Sequence, residues 1–250
     1  MFKTGLVSVS FREHTPREIL TAMKDAHLGC IEWGSDVHAP FDNDKALSEI
    51  AALQLEYGIA CCSYGTYFQI GREKPQEIVQ YARAAAVLGT RTLRIWAGNK
   101  SCEDYTPEER TQFVEACRQL ADIAEKEDVI LCLECHNWTM TDRLASALDL
   151  MERIHSKHFR MYWQPNQFVS QEANLAYAEK IAGYVDTIHV FNWQGNERFP
   201  LSAGKEIWRE YLGRFSGNET LLLEFMPDDS LDSLKTEADS LLHLAGGMQS

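Results

Sequence analysis

The chain has 250 residues, and its 45% apolar content is enough to fill the core of one large domain. Its formal net charge of −13 repels phosphate backbones and anionic membranes, and no cluster of lysines or arginines offsets it. The composition therefore argues against nucleic-acid and membrane-surface binding. No apolar stretch approaches the length of about 18 residues that a membrane-spanning helix needs.

The cysteines and the first residues give an expectation about the compartment. Seven is an odd number of cysteines, and Cys61 and Cys62 are adjacent, so a disulfide framework is not expected. The sequence instead predicts reduced, buried thiols in a cytoplasmic protein. The opening segment MFKTGLVSVSF is too short for a secretory signal and is interpreted as the first strand.

Short β-rich runs alternate with longer helical segments eight times along the chain. Their starts are about 25–38 residues apart, which is the period of a strand–helix unit rather than of a hairpin. Several runs are hydrophobic throughout, as strands of a parallel sheet covered on both faces should be. The predicted strands are Thr4–Ser10, Cys30–Gly34, Ile59–Tyr64, Thr92–Ala97, Val129–Glu134, Arg160–Gln164, Thr187–Val190 and Leu221–Phe225.

Local signals mark where the helices between these strands begin and end. Thr15–Pro16 and Thr106–Pro107 each place a capping threonine and a first-turn proline before a glutamate, which is typical of a helix start. Left-handed residues that stop helices are predicted at three glycines, Gly29, Gly58 and Gly89. Eight such units without a linker predict a single (β/α)8 TIM barrel, an α/β fold, over residues 1–250.

Four polar residues each stand at the end of one of the last four predicted strands. Parallel strands of a barrel bring their carboxyl ends to one mouth, so these side chains should converge there. Two carboxylates, an imidazole and a carboxamide would form a site for one divalent cation, such as Mn²⁺, Co²⁺, Mg²⁺ or Zn²⁺. The predicted ligands are Glu134, Gln164, His189 and Glu224.

This set of residues predicts a particular chemistry. A cation would polarise a carbonyl group, and a carboxylate with a free oxygen would move a proton at the adjacent carbon. Indole rings near the mouth would stack on the C–H face of a sugar and exclude water. The aromatic residues at other strand ends that are predicted to bind substrate are Trp33, Tyr64, Trp96 and Trp193.

From GCIEW in the second predicted strand to LLLEF in the eighth, the chain resembles the xylose isomerase-like TIM-barrel superfamily of sugar and sugar-phosphate isomerases and epimerases. The resemblance implies a metal held by Glu, Asp, His and Glu from the last four strands, and Glu134, His189 and Glu224 match. In the sugar 3-epimerase branch the two glutamates exchange the substrate proton, so Glu134 and Glu224 are the implied acid–base pair. Arg198 resembles the substrate-binding arginine of that branch.

Two positions depart from the family pattern. Gln164 stands at the Asp position, which lowers the formal ligand charge from −3 to −2 and weakens a site for a hard cation. Met140 stands where the epimerase branch has a second acid, six residues after the first glutamate. Arg94 and His136 are predicted to bind substrate in its place, because a guanidinium can grip a carboxylate or several hydroxyls.

Three interpretations of the function stay open. The leading one is a metal-dependent isomerase or epimerase of a sugar, a sugar phosphate or a related polyol ketone, with a small carbohydrate as substrate. The second is a metal-dependent dehydratase or lyase of a ring ketone, because it needs the same proton abstraction. The third is a non-catalytic carbohydrate-binding barrel whose metal site has degenerated at Gln164.

Other features narrow these interpretations only in part. An endonuclease IV-like zinc phosphodiesterase is disfavoured, because the chain has eight histidines in all and an acidic surface. The segment Leu201–Lys205 before a helix leaves open whether the substrate carries a phosphate. The sequence does not specify the oligomeric state, and a homo-oligomer is compatible with it.

Overall fold

The computed structural model describes residues 2–247, which form one closed barrel with helices outside it. The strands are β1 (Lys3–Val7), β2 (Cys30–Gly34), β3 (Ala60–Gln69), β4 (Thr92–Trp96), β5 (Ile130–Glu134), β6 (Phe159–Trp163), β7 (Val185–Val190), β8 (Trp193–Gln194), β9 (Glu197–Arg198) and β10 (Thr220–Leu223). β8 and β9 form an antiparallel hairpin after β7. The other eight strands are parallel, and β10 pairs with β1 to close the barrel. The predicted (β/α)8 barrel is confirmed.

Eight α-helices within residues 2–247 surround the barrel. Both predicted capping sequences begin helices: Thr15 and Thr106 accept the backbone N–H of Glu18 and Glu109, and each glutamate accepts the N–H of its threonine. The helices are α1 (Pro16–Asp25), α2 (Asp44–Tyr57), α3 (Ile78–Leu88), α4 (Pro107–Lys126), α5 (Leu144–Ile154), α6 (Gln171–Ile181), α7 (Lys205–Leu212) and α8 (Leu234–Gly247).

One of the three predicted glycine stops is wrong. Gly58 and Gly89 have the expected left-handed backbone, with φ of 69° and 83°. After α1 the left-handed residue is His27, with φ of 58°, and Gly29 is not among the residues with positive φ. The chain has therefore already left the helix two residues before Gly29, and this glycine leads into β2 without a left-handed turn.

The cap of α4 gives a stability prediction. Replacing Thr106 by Ala is expected to lower the free energy of unfolding by about 1 kcal/mol, because the first turn loses its side-chain acceptor. Thr111→Ala is the matched control, since the Thr111 hydroxyl donates only within the helix, to the Pro107 carbonyl 3.0 Å away. Urea denaturation followed by circular dichroism measures both. Equal losses in the two variants would contradict a capping role for Thr106.

The alternation of side chains along each strand decides which residues enter the barrel. On β2, Glu32 points inward and accepts hydrogen bonds from the hydroxyls of Ser63 and Tyr162, each at 2.8 Å. Its neighbour Trp33 points outward and donates to Gln54 of α2. The barrel interior near the mouth is therefore polar, whereas the layer between strands and helices is apolar.

The cysteines agree with the expectation of unpaired thiols. All seven are free, and six of them are buried. Cys132 packs inside the barrel with Leu222, whereas Cys135 packs in the outer core, so the sulfurs of these two residues lie in different layers. Within residues 2–247, no helix combines the length and the apolar character needed to cross a membrane.

Candidate metal centre

Three acceptor oxygens surround one ring nitrogen at the carboxyl ends of β5, β6, β7 and β10. The Nδ1 atom of His189 lies 3.5 Å from Glu134 Oε1 and 3.4 Å from Glu224 Oε2. It lies 3.1 Å from Gln164 Oε1. The ligand atoms of the two glutamates and the histidine are all within 4.8 Å of one another. The structure thus brings together all four residues that the sequence predicts as metal ligands.

Two of these side chains belong to residues within strands, and the other two belong to residues that directly follow a strand. Glu134 is the last residue of β5, and His189 lies within β7. Gln164 and Glu224 each come one residue after a strand, β6 and β10. Directly after Glu224, Phe225 has a left-handed backbone with φ of 55°, which a bulky side chain rarely adopts. The chain therefore turns away sharply once Glu224 has reached the cluster.

The spacing of the cluster suits a divalent cation. Ligand atoms about 2.0–2.2 Å from a cation lie about 2.8–3.6 Å from one another in octahedral or tetrahedral sites. The three distances from His189 Nδ1, 3.1, 3.4 and 3.5 Å, lie within this range. Carboxylate oxygens with an imidazole nitrogen are donors that Mn²⁺, Co²⁺ and Zn²⁺ accept. The residues present therefore fit such a cation, with Gln164 as a neutral fourth ligand.

Burial and neighbouring charges shift the pKa values of the two glutamates in opposite directions. Burial would raise the pKa of Glu134, but the charge of Arg94 and the contact with His189 outweigh it, so this pKa lies well below its usual range. Burial raises the pKa of Glu224, and Glu134 adds to the shift although His189 opposes it. Burial would lower the pKa of His189, but Glu224 and Glu134 together raise it. Of the two glutamates, Glu134 holds its charge more firmly.

Arg94 lies between two buried carboxylates rather than in the open mouth. Its side chain is only 3% exposed, and its Nε donates to Glu32 Oε1 at 2.8 Å. One terminal nitrogen, Nη1, donates to Glu134 Oε2 at 2.5 Å. The sequence predicts a substrate-binding arginine at this position, whereas the contacts point to a role in holding Glu134.

A cavity of about 450 Å³ opens beside the cluster. Among the four predicted ligands, Gln164 and Glu224 line it. Trp138 and Phe168, which are 67% and 53% exposed, form part of its rim. A volume of this size accommodates a small hydroxylated molecule. The cavity therefore gives such a molecule access to the side of the cluster where Glu224 lies.

Four of the predicted substrate-binding residues lie at the mouth. The rings of Trp96 and His136 pack with centroids 4.7 Å apart. His136 Nδ1 lies 2.8 Å from the carbonyl oxygen of the next residue, so Nδ1 is the donor in this contact. Arg198 stacks over the ring of Trp193 at 4.8 Å and pairs with Asp229. His136 and Trp193 line the cavity, and Trp96 and Arg198 pack against them.

Trp33 and Tyr64 do not reach the mouth, which corrects their predicted substrate-binding role. Both side chains are fully buried on the outer side of the barrel. Trp33 donates to Gln54, and the Tyr64 hydroxyl donates to a backbone carbonyl in the loop after β2. The physical reason is the alternation along the strands, because Glu32 and Ser63 already occupy the inward positions.

Glu32 is the residue near the cluster that the sequence interpretation missed. Its side chain has no exposure, and it accepts hydrogen bonds from Arg94, Ser63 and Tyr162. A signal was present in the sequence, because a carboxylate in the middle of the apolar strand CIEWG needs a buried partner to stay ionised. Arg94, in the middle of the equally apolar TLRIW, is that partner.

The neutral ligand position gives a prediction about metal affinity. Gln164→Glu is expected to tighten Mn²⁺ binding by at least about tenfold, because it restores a third negative charge at the same chain length. Gln167→Glu is the matched control, since Gln167 lines the same cavity but is outside the cluster. Calorimetric titration of both purified variants with Mn²⁺ measures the difference. Equal affinities in the two variants would show that Gln164 is not a ligand.

Comparison with known proteins shows that the chain matches one family model and is similar to a curated protein and to several solved structures. A family model described as a xylose isomerase-like TIM barrel matches residues 20–218. A curated relative, 3-dehydroshikimate dehydratase from Bacillus anthracis, is 28% identical over 82 residues, which are 33% of this chain. That match spans only 29% of the relative's own length.

Solved structures cover almost the whole chain at low identity. The fold is similar to that of a probable 3-DHS dehydratase from Bacillus anthracis, with a TM-score of 0.80, 17% identity and coverage of 97% of this chain and 99% of that one. A xylose isomerase-like TIM barrel protein from Mycobacterium smegmatis, solved in complex with magnesium, has a TM-score of 0.77 and 13% identity. The match covers 100% of this chain and 98% of that one. D-psicose 3-epimerase from Clostridium cellulolyticum H10, solved with D-tagatose, has a TM-score of 0.73 and 14% identity. The match covers 98% of this chain and 99% of that one. At these identities the likeness is one of fold.

Proposed function

Since the chain belongs to the xylose isomerase-like TIM-barrel family, we propose that it is a divalent-metal-dependent enzyme that moves a proton at the carbon beside a substrate carbonyl. The reaction we propose first is isomerisation or epimerisation of a sugar, a sugar phosphate or a related polyol ketone. The observation that carries the proposal is the cluster of Glu134, His189 and Glu224 beside a cavity of suitable size. The similarity of the fold to that of D-psicose 3-epimerase supports it.

In this proposal each side chain at the mouth has a separate task. A divalent cation at the cluster would supply positive charge beside the carbonyl oxygen, which makes the neighbouring C–H more acidic. Glu224 takes up the proton, because it lines the cavity and because burial raises its pKa. His136 Nε2 accepts a hydrogen bond from a substrate hydroxyl. Trp96 and Trp193 cover the C–H faces of the substrate and exclude water.

In an isomerisation Glu224 gives the proton it has taken up to the neighbouring carbon, and in an epimerisation a proton from solvent reaches the opposite face of the same carbon. The pairing of Glu134 with Glu224 as acid and base is not adopted, because Arg94 engages one oxygen of Glu134 and the other faces the cluster.

Proton exchange with solvent tests the proposal. The purified protein is loaded with Mn²⁺ and incubated in D₂O with D-tagatose and, separately, with 3-dehydroshikimate, and proton NMR follows both. An isomerase or epimerase is expected to produce a second sugar that carries deuterium at the reacting carbon. A chelator should abolish the exchange. A protein that binds no divalent cation and exchanges no C–H proton would contradict the proposal and favour the non-catalytic barrel.

Dehydration of a ring ketone is the second candidate, and the similarity to dehydratases in both sequence and fold favours it. The first step is the same, since a proton beside the carbonyl leaves as before. A hydroxyl group on the next carbon then leaves as water with the proton that the base removed, a carbon–carbon double bond forms, and no proton returns to carbon. From 3-dehydroshikimate this loss of water gives an aromatic ring, so new aromatic proton signals separate the two candidates in the same experiment.

A further inference from the structure

Glu32 is held from three sides within the barrel, below the metal cluster. Its Oε1 accepts from Arg94 Nε at 2.8 Å. Its Oε2 accepts from the hydroxyls of Ser63 and Tyr162, each at 2.8 Å. Neither Glu32 nor Tyr162 has any measurable exposure, and Arg94 is 3% exposed. The orientation of the Glu32 carboxylate is therefore fixed by groups on three other strands.

Arg94 transmits this fixed orientation to a predicted ligand. Its Nε is bound to Glu32, and its Nη1 donates to Glu134 Oε2 at 2.5 Å. The other oxygen, Glu134 Oε1, lies 3.5 Å from His189 Nδ1 on the side of the cluster. One carboxylate oxygen of Glu134 is thus engaged by Arg94, and only the other is turned towards the cluster.

Gly65 leaves space for the side chains of Glu32 and Arg94. A Cβ atom at this position would lie 2.6 Å from Glu32 Oε1 and 2.9 Å from Arg94 Nη2, which is closer than real Cβ contacts. Gly65 is not among the residues with positive φ, so the backbone conformation itself does not call for glycine. The absence of a side chain at this position therefore makes room for the carboxylate of Glu32 and the guanidinium of Arg94.

Stability alone does not account for such a pair. Removing charges from water is costly, and a buried ion pair commonly contributes no more to stability than apolar residues of similar volume. Here two carboxylates share one guanidinium within the barrel, and one of them is a predicted metal ligand. The clearest consequence of this arrangement is that it fixes the orientation of the Glu134 carboxylate.

We propose that Glu32 is a positioning residue that acts through Arg94. Together they hold Glu134 with one oxygen towards the cluster, which increases the affinity for a divalent cation. Arg94 also occupies the second oxygen of Glu134, so that Glu224 is the glutamate that takes up the substrate proton. This inference rests on the proposed function, because it requires that the cluster binds a cation.

A charge-matched double variant tests the inference. Glu32→Gln combined with Arg94→Gln removes one negative and one positive charge, so the formal charge around the cluster does not change. Simple charge attraction then predicts the same Mn²⁺ affinity as in the unmodified protein. The positioning role predicts an affinity at least about tenfold lower, as is typical when groups that orient metal ligands are lost. Calorimetric titration with Mn²⁺ gives the affinity, and thermal unfolding of the metal-free proteins shows that they are folded.

Gly65→Ala is a second variant that changes no charge. Its methyl group is expected to displace Glu32 and Arg94 and to weaken Mn²⁺ binding several-fold. Gly183→Ala is the matched control, because a Cβ at Gly183 meets no atom within 4 Å, and its affinity should equal that of the unmodified protein.

The outcomes separate this inference from the proposed function. If the unmodified protein binds Mn²⁺ and both the double variant and Gly65→Ala bind it equally well or more tightly, the positioning role is overturned and the proposed function stands. If the unmodified protein binds no Mn²⁺, the proposed function falls and the positioning role falls with it. Weaker binding by both folded variants supports the role.

Discussion

Glu224→Gln is expected to weaken Mn²⁺ binding by at least about 100-fold, which exceeds the loss usual for groups that only orient a ligand. The substitution keeps the size of the side chain but removes one of the two negative charges that the cluster offers. It should also lower the rate of C–H proton exchange by about 10²–10⁴-fold even at saturating Mn²⁺, since an amide cannot take up the proton. Calorimetric titration and NMR exchange in D₂O measure the two effects separately.

The matched control for this prediction is Glu197→Gln. Glu197 is an exposed residue of the hairpin strand β9, near the mouth but outside the cluster, and its loss removes the same charge from the protein. Its Mn²⁺ affinity and exchange rate should remain close to those of the unmodified protein. If Glu224→Gln binds Mn²⁺ as tightly as the unmodified protein does, Glu224 is not a ligand and the metal assignment fails.

Arg94→Gln is expected to lower the free energy of unfolding by about 3–5 kcal/mol, because two buried carboxylates lose the cation they share. For a chain of this length that loss corresponds to a decrease in Tm of roughly 10 °C. Arg17→Gln is the control, since Arg17 and Glu56 pair with 57% and 54% exposure and should contribute little. A Tm for Arg94→Gln as high as that of the control would contradict the prediction.

The stability loss in Arg94→Gln should also depend on pH. In the unmodified protein, burial would raise the pKa of Glu32, but Arg94 outweighs it and holds the pKa below the usual range. The stability from this ionised carboxylate is present above its unfolded pKa and is lost as the pH falls through the folded pKa. Without Arg94, burial outweighs the hydrogen bonds and the His189 charge that remain, so the pKa of Glu32 rises and stability is lost as the pH increases through this folded pKa. Urea denaturation should therefore show a larger deficit at about pH 8 than at about pH 5.

The period of the strands and the polar residues at their ends were readable from the sequence, for a physical reason. A parallel barrel repeats one strand–helix unit, so the spacing of apolar runs reports the fold directly. Glu134, Gln164, His189 and Glu224 could be expected together because barrel geometry brings all strand ends to one mouth. No detail of packing was needed for that expectation.

The direction in which a strand residue points was harder to predict. Trp33 and Tyr64 are aromatic residues at strand ends, yet both point outward, because inward and outward positions alternate along each strand. The pairing of β2 with β3 also shifts register between Ile31 and Glu32, where Ile31 pairs with Cys61 and Glu32 with Ser63. One extra residue there changes the alternation, so counting along β3 from its start gives the wrong face.

The roles of Glu32 and Arg94 depended on contacts between distant residues. The two are 62 positions apart in the chain, and their pairing follows from the adjacency of β2, β3 and β4 around the barrel. The sequence of each strand shows a charged residue among apolar ones but does not identify its partner. Only the three-dimensional arrangement shows that Arg94 occupies one oxygen of Glu134, which changes the interpretation of Arg94 from a substrate contact to a support for a ligand.

Anomalous diffraction from crystals grown with saturating Mn²⁺ tests the central claim most directly. The account predicts one strong peak about 2.0–2.4 Å from His189 Nδ1 and from oxygens of Glu134 and Glu224, with the Gln164 carboxamide oxygen as the next ligand. No peak at this cluster, or a peak only at another site on the protein, would contradict the claim that the barrel mouth is a metal centre.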